Sequence, residues 1–149
     1  LLEIPPTQKI KIFEIGCGTG QFARMLLDSR PDIVYSGIDF SQVAITQAKK
    51  NIPEFELMIK CASIYEHDVL KDSSLVIALE VLEHLDDLRV LSEIDSGTEI
   101  IFTVPDFDDP AHLRFFKNID EVKNRYSERI KFSFAEKYDR WFICCGKIK

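Results

Sequence analysis

The stretch Phe13-Glu14-Ile15-Gly16-Cys17-Gly18-Thr19-Gly20-Gln21-Phe22 limits the fold more than any other. An apolar run, Lys9–Ile15, leads into three glycines at alternate positions, and Phe22, Met25 and Leu26 follow at helical spacing. A strand that turns through glycines into a helix opens a βαβ unit, the building block of parallel sheets. Glycines at such a turn let the backbone approach a ligand that side chains would hold off. The spacing is G-x-G-x-G. A dinucleotide-binding turn wants its third glycine at position 21, and Gln21 there speaks against a nicotinamide-dependent oxidoreductase. Glu14, two residues before the first glycine, would repel a pyrophosphate and suits a ligand with a cationic end.

The alternation continues downstream. Ile33–Asp39 reads as a second strand, Ser41 as the N-cap of a helix from Val43 to Lys50, and Phe55–Lys60 as a short third strand. Ser74–Leu79 is continuously apolar, as suits a strand buried on both faces, and Val81–Leu91 reads as a helix. Glu99–Val104 is a fifth strand ended by Pro105, and Asn118–Tyr126 is helical. Ile130–Ala135 and Arg140–Cys145 are two strands joined by Glu136–Asp139, short enough for an antiparallel hairpin. Residues 1–149 make one domain, with no repeat or linker. Its first strand follows directly on Leu1–Thr7. Proteins of this layout often carry a helix before that strand, so the chain is expected to lack one.

A second acidic residue sharpens the reading. Asp39 ends the second strand 19 residues after Gly20, where nucleotide-binding α/β folds place a carboxylate against both ribose hydroxyls. An ionised acid accepts from both at once. Phe13–Gln21 resembles motif I of the class I methyltransferases that use S-adenosylmethionine (SAM), and Tyr35-Ser36-Gly37-Ile38-Asp39-Phe40-Ser41 is similar to their ribose-binding motif. Ser74 to Leu85, ending in Glu80-Val81-Leu82-Glu83-His84-Leu85, resembles the fourth-strand motif of the subgroup related to ubiquinone-biosynthesis methyltransferases. The resemblance implies a Rossmann-like α/β fold with a seven-stranded, mostly parallel sheet of order 3-2-1-4-5-7-6. Strand 7 would be antiparallel, with helices on both faces.

It also implies a SAM-dependent transfer of a methyl group to an O, N or C nucleophile, with a small molecule as the expected acceptor. Glu14, Gly16, Gly18 and Gly20 would surround the methionine half of SAM, with Cys17 presenting its backbone. Asp39 would hold the ribose, Phe40 would pack along the adenine, Ala62 and Ser63 would reach the adenine edge, and Leu79 and Glu80 would approach the methionine end. The family often has an acidic residue near Cys61, which this chain does not.

Glu80, Glu83 and His84 stand at i, i+3 and i+4, on one face if a helix has begun. Three roles compete. His84 can be a general base, assisted by Glu83. The three can bind a divalent metal that acidifies a substrate hydroxyl, as a similar segment does in some ubiquinone-pathway and small-RNA 2′-O-methyltransferases. Or Glu80 touches SAM or a loop while His84 caps and packs. A fourth ligand could come from His112, 27 intervening residues away, but the spacing does not fix that pairing and metal-free chemistry is expected. His67 reads as exposed, and Phe115-Phe116 either lines an acceptor pocket or seats a helix.

The four cysteines, Cys17, Cys61, Cys144 and Cys145, lack metal or disulfide spacing and read as buried thiols in a cytoplasmic protein. No apolar run approaches the ~18 residues of a membrane span. The net charge of −6 divides into −11 over residues 1–109 and +5 over residues 110–149. The basic tail keeps nucleic acid among the candidate partners, and an RNA 2′-O-methyltransferase or a non-catalytic SAM-binding module are the alternatives. The chain's overall acidity argues weakly against general nucleic-acid binding.

Overall fold

The computed structural model describes residues 9–66, 70 and 72–149. In chain order the elements are β1 (Lys11–Ile15), α1 (Gln21–Ser29), β2 (Val34–Asp39), α2 (Gln42–Asn51), β3 (Ile59–Cys61), β4 (Leu75–Ala78), α3 (Asp87–Ser92), β5 (Glu99–Pro105), α4 (Ile119–Tyr126), β6 (Ile130–Tyr138) and β7 (Trp141–Ile148). The sheet runs β3-β2-β1-β4-β5-β7-β6. β1 to β5 pair in parallel, and β7 lies antiparallel to both β5 and β6. This is the order that the motif resemblance implied. The proposed absence of a helix before β1 falls in residues outside those described, as does His67.

Alternation along the strands builds a core on each face of the sheet. In β1, Ile12 faces one core and Phe13 and Ile15 the other; in β4, Ile77 opposes Val76 and Ala78. Ala23 and Leu27 of α1 and Ile45 and Ala48 of α2 cover the first side. Val90 and Leu91 of α3 and Val122 and Tyr126 of α4 cover the second. Ser41 caps α2 by accepting from Ala44 N at 3.2 Å, and Asn118 caps α4 by accepting from Glu121 N at 3.0 Å.

Three elements differ from the sequence reading. β3 is only Ile59–Cys61, because Pro53 starts a 3₁₀ segment that takes residues 53–58 and leaves Leu57 exposed. The helix expected over Val81–Leu91 is split into a 3₁₀ turn at Leu82–His84 and the short α3. Asp86 is the reason: its side chain accepts from Arg89 N and starts a helix at Asp87. The hairpin strands are longer than expected and its turn shorter. Pairing continues to Tyr138 opposite Trp141, so the charged Glu136 and Lys137 belong to an edge strand. Asp139 makes the reversal at φ 52°, a left-handed conformation that aspartate tolerates.

Candidate active site at the carboxyl edge of the sheet

The glycine turn between β1 and α1 is locked to β2. Gly16 N and Cys17 N both donate to Ile38 O, at 2.8 and 3.0 Å, and Gly20 N donates to Cys17 O. Gly18 N donates to Asp39 Oδ2 at 2.9 Å. These amides are therefore satisfied within the protein and do not form an open nest for a phosphate. Gly16 sits at φ 70° under the turn that follows β4, and a Cβ there would come within 2.5 Å of Val81 Cγ2. Asp39 is held from two sides, since Ser41 N donates to its Oδ1 at 2.8 Å. Each carboxylate oxygen keeps a further lone pair, so the group is preset to accept from neighbouring hydroxyls.

Glu14 lies beneath the loop and does not line the cleft, because β1 directs it into the interior, where it is 3% exposed. Tyr35 Oη donates to Glu14 Oε2 at 2.6 Å. Burial pushes the Glu14 carboxyl up to about 7; the Tyr35 hydroxyl pulls against this, and the charge of Asp39 adds to it. The sign of the linked stability follows. A carboxyl with a raised folded pKa binds its proton more tightly when folded, so it destabilises the folded state above the ordinary carboxyl pKa, fully so above pH 7. Glu14→Gln is expected to stabilise the ligand-free protein at pH 8, by up to ~3 kcal/mol, with the gain vanishing below about pH 4.5. Denaturant unfolding of both proteins across that range checks it, and equal stabilities at pH 8 would count against a buried, charged Glu14.

A cleft of about 560 Å³ opens where β1, β2 and β4 end. Gly16, Asp39, Phe40, Ala62, Ser63, Leu79, Glu80 and His84 all belong to its lining. Phe40, part of this lining, is 87% exposed. Cys17, Gly18, Gly20 and Glu83 lie outside the lining. Cys17 is buried, with its thiol pushed up to about 12 by burial and by the carboxylates of Glu14 and Asp39. Cys144 is buried too, Cys145 partly so, and Cys61 is exposed, contrary to the sequence reading of buried thiols. Sequence reasoning missed the apolar part of the lining, including Ile15, Ile38, Ile64 and Ala111. Only the strand ends, as places where side chains meet ligand, could have signalled the first two.

The Glu80, Glu83 and His84 trio does not share a helical face. Glu80 adopts φ 56° before the 3₁₀ turn, its N donates to Thr103 Oγ1, and its side chain is exposed. Glu83 turns the other way and is fully buried. Neither of its carboxylate oxygens has a hydrogen-bond partner among the described residues. Burial pushes its carboxyl above the ordinary range, although the charges of the two neighbouring histidines pull it down. The neighbours are His84 and His112, with ring centroids 4.9 Å apart. One donor atom from each of Glu83, His84 and His112 lies within 4.8 Å of the others. His84 Nδ1 is 2.9 Å from Ala111 O. A carbonyl only accepts, so Nδ1 carries the hydrogen and Nε2 keeps its lone pair.

The turn is held in place by a buried ion network that sequence reasoning did not find. Arg114 Nη1 donates to Leu82 O and Leu85 O, at 2.6 and 2.7 Å, and Leu113 N donates to Glu83 O. Arg114 is also 3.3 Å from Asp87 Oδ2. Asp87, fully buried, takes two bonds from Arg125 and one from Tyr126 Oη, all at 2.7 Å. Burial would raise the Asp87 carboxyl, yet these partners hold it below the ordinary range. Phe116 of the expected aromatic pair is buried against Tyr126, while Phe115 is partly exposed.

A family model described as a methyltransferase domain matches residues 13–95, which span the glycine loop, Asp39 and the Glu83–His84 turn. The chain belongs to the class I SAM-dependent methyltransferases. Its relatives include the malonyl-[acyl-carrier protein] O-methyltransferase of Acetivibrio thermocellus, 28% identical over 88 residues, covering 59% of this chain and 31% of the relative. The trans-aconitate 2-methyltransferase of Rhodopseudomonas palustris is 26% identical over 119 residues, covering 76% of this chain and 46% of the relative. This methyltransferase chain thus spans less than half the length of these curated relatives. Among solved structures, the N-methyltransferase NodS of Bradyrhizobium japonicum, in complex with S-adenosylhomocysteine, matches at TM-score 0.70 and 17% identity, covering 93% of this chain and 78% of that one. That likeness supports the fold. No helix among the described residues is long and apolar enough to cross a membrane.

Proposed function

We propose that the protein binds SAM in the cleft and transfers its methyl group to an O, N or C nucleophile of a small, cytoplasmic acceptor. The observation that carries this reading is Asp39, fixed by Gly18 N and Ser41 N in the lining of a largely apolar cleft that His84 also lines. Its free lone pairs suit the two ribose hydroxyls. Phe40 and Ala62 offer the adenine apolar contact with Ser63 at its edge, and Gly16, Leu79 and Glu80 are left to the methionine end. Loop amides already satisfied within the protein favour a sugar with no phosphate over a dinucleotide. Glu14, below the loop, adds negative potential under a cationic ligand without touching the cleft.

SAM, held by Gly16, Asp39, Phe40, Leu79 and Glu80, would supply a methyl carbon activated by its sulfonium and would leave as S-adenosylhomocysteine. The protein's part is to exclude water, set the approach and take the proton that an O–H or N–H acceptor releases. His84 Nε2 receives that proton, with Nδ1–H anchored on Ala111 O and Glu83 behind the ring. The relatives' names support a small acceptor, since trans-aconitate is one. Four free thiols fit the cytoplasm.

Thermal shift and calorimetry test the reading. SAM and S-adenosylhomocysteine at 100 times their dissociation constants are expected to stabilise the protein by about 2.7 kcal/mol, and NAD to do nothing. Asp39→Ala should weaken SAM binding by roughly 1.5–3 kcal/mol, the range for hydrogen bonds to a charged group. A melting curve unmoved by saturating SAM in ligand-free protein would sink the proposal. Release of S-adenosylhomocysteine across an acceptor panel then separates an enzyme from a binding module.

A further inference from the structure

We infer that the outer edge of β6 pairs antiparallel with the β6 edge of a second copy of this chain, joining two seven-stranded sheets across a two-fold axis. The inference concerns association and does not depend on the reaction proposed above.

β6 ends the sheet, so one side of its backbone has no strand partner among the described residues. Its side chains divide between two faces. Phe132 and Ala135 stand opposite Gly146 and Cys144 of β7 and pack against the core, whereas Lys131, Phe134 and Glu136 stand opposite Lys147, Cys145 and Ile143 on the other face. Phe134 is 42% exposed, and neither it nor Ile143 nor Cys145 belongs to either core, so no described helix seals that face.

Lys131 and Glu136 are five positions apart, a separation that puts residues of a regular strand on opposite faces. A bulge brings them to the same one. Ser133 is an extra residue between Phe132, opposite Gly146, and Phe134, opposite Cys145. Directly opposed residues of an antiparallel pair share a face, so the edge can pair with itself only in a register that respects the bulge. With the two bulges opposite each other, Lys131 meets the partner's Glu136, and Glu136 meets the partner's Lys131. Phe132 and Ala135 meet in the same reciprocal way on the core side. Reciprocity of this kind is what a two-fold interface requires.

The charges point to the same register. Lys137 is held by Asp106 and Lys147 by Glu99, while Lys131 and Glu136 form no ion pair among the described residues. Lys131 stands opposite the like charge of Lys147, which a carboxylate from a second copy offsets. A register centred on Phe134 would set Lys131 against Lys137, and one centred on Glu136 would set two Glu136 carboxylates together. Bulges and edge lysines ordinarily deter pairing with a straight foreign strand. Here they select the partner, because a strand with the same bulge matches them. Strand pairing alone buries less than the ~1,200 Å² of a standard interface, so the dimer is expected to be weak and reversible.

Sedimentation of the whole chain over a range of concentrations tests this. Wild type should pass from monomer to dimer below about 1 mM, and added salt should weaken the dimer by screening the charge pairs. Lys131→Glu and Glu136→Lys should each weaken it roughly tenfold or more, since each sets like charges together at both ends of the interface. An equimolar mixture of the two variants should dimerise again, because one carries acids at both positions and the other carries bases. That recovery separates edge pairing from misfolding. A wild type that stays monomeric up to about 1 mM overturns the inference. So does a dimer that both charge reversals leave intact, which would place the interface elsewhere, or a mixture that remains monomeric.

Discussion

His84→Ala is expected to lower turnover by about 100- to 10,000-fold, the range for loss of a positioned acid–base group, with SAM affinity nearly unchanged. The split is expected because Asp39, fixed by Gly18 N and Ser41 N, and His84, anchored on Ala111 O, are separate groups of the cleft lining held by separate contacts. An alcohol or amine must lose its proton as it gains the methyl group, and His84 is the histidine on the cleft wall. Its ring cannot swing freely, since Nδ1–H is anchored on Ala111 O. His84→Gln should not restore the rate, because an amide takes no proton at neutral pH. The measurement is release of S-adenosylhomocysteine with the acceptor found by screening, alongside calorimetry with SAM. Turnover within threefold of wild type, or a parallel loss of SAM affinity, would remove His84 from the base role.

Asp87→Ala is expected to cost about 3–5 kcal/mol, the loss seen when one partner of a buried ion pair is removed. For a chain of this size that lowers the melting temperature by roughly 6–20 °C. The deletion leaves Tyr126 Oη, fully buried, without its acceptor and frees Arg125 and Arg114 from their common partner. The pH sign is the opposite of that for Glu14. Asp87 has a folded pKa below its unfolded one, so its contribution is present at neutral pH and is lost as pH falls through that lowered value. Wild type and variant should therefore converge in strongly acid solution. A cost under 1 kcal/mol at pH 7 would show that Arg125 is held by solvent instead. Since Arg114 also grips the carbonyls of Leu82 and Leu85, the variant tests what fixes the turn carrying His84.

What could be read in the sequence was local. Strand, glycine turn, helix and Asp39 fall within 30 residues, and each rests on rules of spacing and backbone freedom that need no knowledge of distant partners. The sheet order came from the motif resemblance, since nothing in the spacing alone specifies it. The misread segments are those where tertiary contacts outweigh local pattern. Phe55–Lys60 is apolar enough to read as a short strand, but Pro53 commits the chain to a tight helical turn first. Val81–Leu91 has helical spacing, and the signal against one helix was Asp86, a capping residue in mid-pattern. His112 meets His84 only because the loop after β5 folds back along Leu113, and Asp87 meets Arg125 across 38 positions. Neither pairing leaves a mark in a single sequence.

Glu83 has a consequence for protein engineering. A buried carboxylate with no partner among the described residues works against the folded state, and an apolar or amide replacement of similar size removes that liability at once. A library screened for survival of heating alone should discard Glu83 early, and the survivors would read as improved proteins. The same library screened for methyl transfer should keep it. Position 83 is thus where selection for durability and selection for chemistry are expected to part company.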